Sequence, residues 1–294
     1  MRVLRDSGDS DSPGAEPSGK EAVVPRAALD EDGGHHPPSV GDIIGDPSQV
    51  SDVQRHYDDL LAAHYSWMSG LTFADKVEEQ RRLLERLGFP TASKGRALDL
   101  GCGPGYQAAA LCDLGYESVI AIDTSQALLD ELRVAGEGRP IEPVLGDLRD
   151  VSGLVGEGGA DAIVCMGDTL THLETQADVS GLLHAAYDAL RPGGRLALTF
   201  RDYSVELTGT DRFIPVRSDD RRIMLCALLY EPDYVVVNDL VHLRSDDGWQ
   251  LHKSSYRKLR LMPSMVADEM RQLGFSVDVD ELINRMHAIV AYKG

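Results

Sequence analysis

Basic side chains are in short supply. Against 48 Asp and Glu there are 29 Lys and Arg, a formal charge of −19 at neutral pH. A surface of that sign repels a phosphate backbone and anionic lipid, so nucleic acid and membrane drop out as partners unless a basic groove is hidden in the fold. Cysteine is scarce too. Cys102, Cys112, Cys165 and Cys226 include no pair at C-x-x-C spacing. They read as small buried thiols in a reducing compartment rather than as metal or redox centres. No apolar run is long enough to cross a bilayer, and the first residues lack the apolar stretch of a signal peptide. The expectation is a cytoplasmic protein. No repeat of fixed period appears.

What remains is ordinary globular material, 43% hydrophobic over 294 residues, enough for one large domain or two small ones. Residues 1–45 differ. They are rich in Asp, Ser, Gly, Pro and Glu and poor in aromatics, which cannot bury enough apolar surface to offset ordering entropy. This segment is expected to be a disordered acidic tail. His35 and His36 within it have no third ligand nearby, and no metal site is expected anywhere.

The chain is organised around Ala97-Leu98-Asp99-Leu100-Gly101-Cys102-Gly103-Pro104-Gly105-Tyr106. A short apolar strand ends at a tight glycine turn and runs into a helix. That build lets a nucleoside-bearing ligand lie against backbone. Glycine tolerates positive φ there and has no Cβ to hold the ligand off. A dinucleotide fingerprint would need its third glycine where Tyr106 stands; here the last glycine comes one position earlier.

Three further strand ends follow in order. Ser118–Asp123 is an apolar strand closing on an acid about twenty residues past the turn, where a carboxylate can accept ribose hydroxyls. Thr124 and Ser125 then open a helix. Ile141–Leu145 stops at Gly146-Asp147-Leu148. Asp161–Met166 opens into Gly167-Asp168-Thr169-Leu170-Thr171-His172. Ligands of open α/β sheets sit outside the carboxyl ends of the strands, so Met166, Gly167 and Asp168 should flank the ligand. His172 could serve as a general base or as a packing and positioning group.

The Asp-x-Gly-x-Gly-x-Gly pattern at 99–105 resembles motif I of class I S-adenosylmethionine-dependent methyltransferases, and the later Leu190-Arg191-Pro192-Gly193-Gly194 strengthens the likeness. The resemblance implies a seven-stranded Rossmann-like α/β/α sandwich over 95–294 and S-adenosylmethionine as cofactor. It implies cofactor contacts from Asp99, Gly101, Cys102, Gly103, Gly105, Asp123 and Thr124. Asp147 would accept the adenine amine while the Leu148 N–H reaches the ring. The implied chemistry is in-line methyl transfer to an N or O atom of a small metabolite. Two alternatives stay open: a non-catalytic S-adenosylmethionine-binding regulatory or partner subunit, and an NAD-dependent oxidoreductase.

Residues 46–94 read as helical, with Val53, Tyr57, Leu60, Leu61, His64 and Tyr65 at i, i+3, i+4 spacing. The family likeness makes this segment an N-terminal helical lid. Tyr57 and Tyr65 resemble tyrosines that related proteins place there, although wet-edged core tyrosines explain the spacing as well. Tyr57 joins His172 as a candidate catalytic residue. Residues 204–261 interrupt the fold with the apolar runs 222–230, 234–237 and 249–261, an antiparallel β insertion that could wall a substrate cavity or join subunits into a homo-oligomer. Arg201, Tyr203, Trp249, Tyr256 and Arg257, together with His242, are the candidate substrate contacts.

Overall fold

The computed structural model describes residues 53–90, 95–155 and 159–294. The expected tail at 1–45, His35, His36 and the first lid residues lie outside them.

Seven strands build the central sheet: β1 (Arg96–Leu100), β2 (Ser118–Asp123), β3 (Ile141–Leu145), β4 (Ala160–Cys165), β5 (Leu190–Phe200), β10 (Phe275–Ile283) and β11 (Met286–Lys293). Their order is β10-β11-β5-β4-β1-β2-β3. The first five are parallel, and β11 enters antiparallel between β5 and β10. This is the expected Rossmann-like sandwich. The order reverses at β1, which pairs with β2 on one side and β4 on the other. That switch point opens the crevice in which such sheets bind ligands.

Alternation along the strands loads both faces. Leu98, Leu100, Ile120, Ile122, Ile163, Leu196, Leu198 and Ile289 pack on one side with α7 (Gln176–Ala189) and α8 (Pro263–Leu273). The other side is built from smaller side chains, Ala97, Ala121, Ala162, Ala197 and Ala288. They meet Ala108, Ala109 and Ala110 of α4 (Tyr106–Asp113). Small residues on both surfaces let that helix approach the sheet closely. Side chains cap several of the helices. Ser125 accepts from Leu128 N–H at the start of α5 (Gln126–Ala135), and Thr175 with Asp178 forms a full capping box on α7.

The lid segment is one helical run interrupted in the middle. α1 (Val53–His56) passes into a π turn at Tyr57–Leu61 and on to α2 (Ala62–Ser69), before α3 (Phe73–Arg86). The spacing at 53–65 predicts a plain α-helix, so the π turn is a departure. Its reason is geometric. Eight α-helical residues separate directions by roughly 80°, whereas seven bring them back to within about 20°. The wider turn absorbs one residue, and Tyr57 and Tyr65 end on the same side with ring centroids 6.1 Å apart.

The insertion is a separate four-stranded antiparallel sheet, β6 (Phe213–Ser218), β7 (Arg222–Tyr230), β8 (Tyr234–Ser245) and β9 (Gly248–Leu259), paired in sequence order. β6 carries no run long enough to be seen in the sequence. The Arg191-Pro192-Gly193-Gly194 stretch is taken into β5. The pairing with β4 jumps from Ala160↔Leu190 to Ala162↔Arg195, so these residues bulge out of the ladder. Among the described residues, no helix is long and apolar enough to cross a membrane.

Candidate functional site

The carboxyl ends of β1, β2 and β3 are tied together by backbone. Gly101 and Cys102 N–H both donate to the Ile122 carbonyl, at 2.8 and 3.0 Å, and Gly146 N–H donates to the Asp123 carbonyl at 3.0 Å. Gly103 and Gly105 both have positive φ, +54° and +87°. A side chain at Gly105 would run into Leu132. At Gly103 the turn is open, with Tyr65 the nearest group to where a Cβ would stand, at 3.7 Å. Asp123 closes this cradle: one carboxylate oxygen accepts from Gly103 N–H at 2.7 Å and the other from Ser125 N–H at 2.8 Å.

These groups line a cavity of about 800 Å³, within the range of small-molecule and cofactor sites. Gly101, Gly103, Asp123, Thr124, Asp147 and Leu148 form one part of its wall; Tyr57, Tyr65, Thr169 and His172 form another; Glu231, Tyr234 and Arg257 come from the inserted sheet. The fit to an adenosyl cofactor can be tested on Asp123. A carboxylate offers about four acceptor sites, and two are used by backbone. Two remain for a ribose diol at a residue that borders the cavity, beside a glycine backbone with no side chain in the way. Asp147 is more heavily engaged. Its two oxygens accept from the Arg149 guanidinium at 2.6 and 3.0 Å, which holds its carboxyl below the usual range.

The comparisons agree with this geometry. Residues 97–194 match the methyltransferase domain family. Residues 97–194 carry a methyltransferase domain, set in a Rossmann-like sheet. The chain is 35% identical over 104 residues to the putative methyltransferase YqeM of Bacillus subtilis, covering 35% of this chain and 41% of that protein. It is 33% identical over 164 residues to a glycine/sarcosine N-methyltransferase of Halorhodospira halochloris, covering 55% and 60%. The match thus spans about two-fifths to three-fifths of these relatives' lengths. The SAM-bound structure of CalS10, an amino pentose methyltransferase from Micromonospora echinaspora, superposes with a TM-score of 0.61 at 17% identity, over 77% of this chain and 94% of that one.

Other sequence candidates in the methyltransferase domain lie off the cavity wall. The Asp99 side chain is buried behind the glycine turn, and burial pushes its carboxyl up to about 8. Cys102, Gly105 and Met166 are buried, and Gly167 N–H is tied to the Thr199 hydroxyl at 2.8 Å. Asp168 faces inward to a cluster that sequence reasoning missed. It accepts from Lys258 Nζ at 2.8 Å, from Arg201 N–H at 2.9 Å, from the Arg201 guanidinium and from the Tyr203 hydroxyl at 3.2 Å. Burial would raise this carboxyl, but Lys258 and Arg201 outweigh it and hold it well below the carboxylate range. Arg201 and Tyr203 therefore serve Asp168, and Lys258 of β9 fastens the insertion to the loop that follows β4.

Arg257 lines the cavity but is paired in bidentate fashion with Glu231, at 3.0 and 3.2 Å. Trp249 is exposed near the β8–β9 turn, with Arg244 over its ring, and is not among the cavity-lining residues. His242 is likewise not part of the cavity wall. Tyr256 is buried and meets His172 edge-on, ring centroids 5.6 Å apart, while Tyr57 approaches His172 at 5.9 Å. The His172 Nε2 is buried with no hydrogen-bond partner. Burial, then nearby Lys258, push its pKa down to about 3, so the ring is neutral. Burial raises all four thiols, three of them to about 12, and none offers a thiolate at neutral pH.

Proposed function

We propose that this chain transfers the methyl group of S-adenosylmethionine to a nitrogen or oxygen of a small metabolite, and that an amine is the preferred acceptor. One observation carries the reading: a single cavity joins the Gly103–Asp123 cradle to the aromatic wall of Tyr57, Tyr65 and His172. When bound, the cofactor supplies a methyl group already activated on a sulfonium. The protein's share is alignment and exclusion of water.

In this reading Asp123 holds the ribose hydroxyls, and Asp147 with the Leu148 N–H holds the adenine. The backbone at Gly101 and Gly103 lets the cofactor lie close. Tyr57 and Tyr65 close the lid side. Neutral His172 lines the cavity, and its unpartnered Nε2, buried in this structure, would turn toward the acceptor to take a hydrogen bond from an N–H and leave the nitrogen lone pair pointed at the methyl carbon. The C–N bond forms as the C–S bond breaks, and the surplus proton leaves to water. An imidazole with a pKa near 3 is too weak to hold that proton.

The same electrostatics favour an amine over a hydroxyl. An alcohol needs a base to strip its proton before attack, and the titratable groups facing the aromatic end are ill-suited. Tyr57 and Tyr256 are raised well above 10 by burial, and Tyr65 to about 12. A free amine needs none of them. The glycine/sarcosine and amino pentose enzymes, whose names state amine-bearing substrates, support the choice. A non-nucleic-acid acceptor fits the net charge, and self-association through the inserted sheet is part of the proposal.

The test is transfer of radiolabelled methyl from S-adenosylmethionine to a fractionated small-molecule extract, with the labelled product identified by mass spectrometry. A labelled amine is expected. Tight adenosylhomocysteine binding with no label in any fraction would replace this reading with a non-catalytic cofactor-binding subunit. Cofactor-dependent absorbance change with NAD would replace it with an oxidoreductase.

A further inference from the structure

His56 is the last residue of α1 and is fully buried. Its Nε2 lies 3.0 Å from an oxygen of Asp239, a buried carboxylate on β8, 183 residues away. Its ring stacks on Tyr256 of β9, with centroids 4.1 Å apart and planes 25° off parallel. Asp239 pairs with Ser254 and Tyr256 with Val237 in the β8–β9 register, so both side chains rise from the same face of the inserted sheet. One imidazole thus grips two strands of the insertion.

The residue after His56 is Tyr57, at the entry to the π turn. Tyr57 and Tyr256 are the two rings that meet His172 edge-on, at 5.9 Å and 5.6 Å. His56 is therefore joined to both neighbours of His172: to one through a peptide bond, to the other through a stacked ring. A buried carboxylate is costly unless something donates to it. The His56–Asp239 contact meets that need in a single arrangement of lid against sheet.

We propose that the His56–Asp239 pair is a positioning device for His172: it fixes Tyr57 and Tyr256 on either side of that imidazole and so sets where its free Nε2 points. The proposal rests on the acceptor-site reading of His172 for its meaning in catalysis, while its physical content concerns the ring alone. His56 and Asp239 are not themselves among the residues that line the cavity. They act through Tyr57, Tyr256 and His172.

The experiment uses the full chain and histidine side-chain 1H–15N spectra, with the His172 signals assigned by the His172→Asn variant. The double substitution His56→Phe with Asp239→Leu removes the polar pair and keeps an aromatic ring on Tyr256. Such replacements of buried pairs commonly preserve the fold. The expected result is adenosylhomocysteine affinity within about threefold of the parent by calorimetry, because the Gly103–Asp123 cradle is untouched, together with altered or broadened His172 nitrogen shifts. Asp239→Asn, which retains a hydrogen-bond acceptor, should restore the parent His172 signals.

His172 shifts that superimpose on the parent's in the folded double variant would overturn the proposal. If the double variant fails to fold, His56→Gln decides the matter. Its amide can still donate to Asp239 but cannot stack, and unchanged His172 shifts there overturn the proposal equally. Failure of the methyl-transfer reading shows separately, as absent adenosylhomocysteine binding or absent transfer by the parent. The spectra of ligand-free protein report on His172 in either case.

Discussion

Asp123 and Gly103, twenty residues apart, are joined by a 2.7 Å hydrogen bond from the Gly103 N–H to the Asp123 carboxylate. The carboxylate does two jobs at once. It shapes the glycine turn and the start of α5, and it keeps acceptor capacity turned to the cavity. Asp123→Ala should weaken adenosylhomocysteine binding by roughly 10²-fold, since hydrogen bonds to a charged group contribute about 1.5–3 kcal/mol each. The two orphaned N–H groups should cost about 1–2 kcal/mol of stability, partly relieved by water entering the cavity. Calorimetric titration and a denaturation curve separate the two effects. Unchanged affinity would remove Asp123 from the cofactor site.

Asp99, the acid of the glycine motif itself, behaves differently. Its side chain is fully buried, one carboxyl oxygen has no partner, and burial lifts its pKa to about 8. The folded state therefore keeps a proton that the unfolded chain releases from about pH 4 upward. Stability contributed by the protonated form is complete below pH 4 and is lost as the pH rises toward 8, at up to about 1.4 kcal/mol per unit. Asp99→Asn mimics the protonated acid and removes this dependence. The variant should match the parent in melting temperature near pH 4 and exceed it at pH 8. A constant offset between the two melting curves across that range would contradict the assignment.

The parts of the site that were legible in the sequence are those set by local chain geometry. The glycine turn, the acids at the ends of β2 and β3 and the capping residues each occupy a few consecutive positions, and hydrophobic alternation fixes which end of a strand they mark. The inserted sheet was visible for the same reason, apart from β6, whose exposed and half-buried pattern has no apolar run. What could not be read were pairings between distant segments. Lys258 sits in a strand among alternating residues like any solvated lysine, and nothing near it in sequence announces Asp168. His56 and Asp239 are likewise ordinary where they stand. The π turn was invisible because helical periodicity tolerates one absorbed residue without changing composition.

The Asp168–Lys258 contact should respond in a characteristic way to substitution. Both side chains are buried; removing the Asp168 charge leaves Lys258 without its carboxylate, whereas removing Lys258 leaves Asp168 with the Arg201 guanidinium as its remaining cation. Lys258→Met alone should destabilise the protein, by less than the about 3–5 kcal/mol of a fully orphaned buried charge, because Arg201 still neutralises Asp168. Adding Asp168→Asn should recover much of this, because the neutral amide no longer demands a cation and can still accept from Arg201 and Tyr203. Urea denaturation of the two single variants and the double variant measures the coupling. Additive losses would mean that the two charges do not act on one another.

His172 fixes the expected pH dependence of transfer. With its pKa near 3, it stays neutral throughout the range in which the fold is stable, so no limb of the rate profile should belong to it. With an amine acceptor, as proposed, the rate should instead rise with pH as the amine loses its own proton, and level off above its pKa. His172→Asn keeps a polar group able to hold the acceptor and should lose about tenfold in kcat. His172→Phe keeps the packing against Tyr57 and Tyr256 but offers no lone pair, and should lose roughly 10²–10³-fold, the scale of a lost positioning contact. In both variants the midpoint of the pH profile should remain that of the acceptor. A midpoint near neutrality that disappears on substituting His172, while the acceptor's own limb remains, would show instead that the imidazole takes the proton, and that burial depresses its pKa far less once substrate is bound.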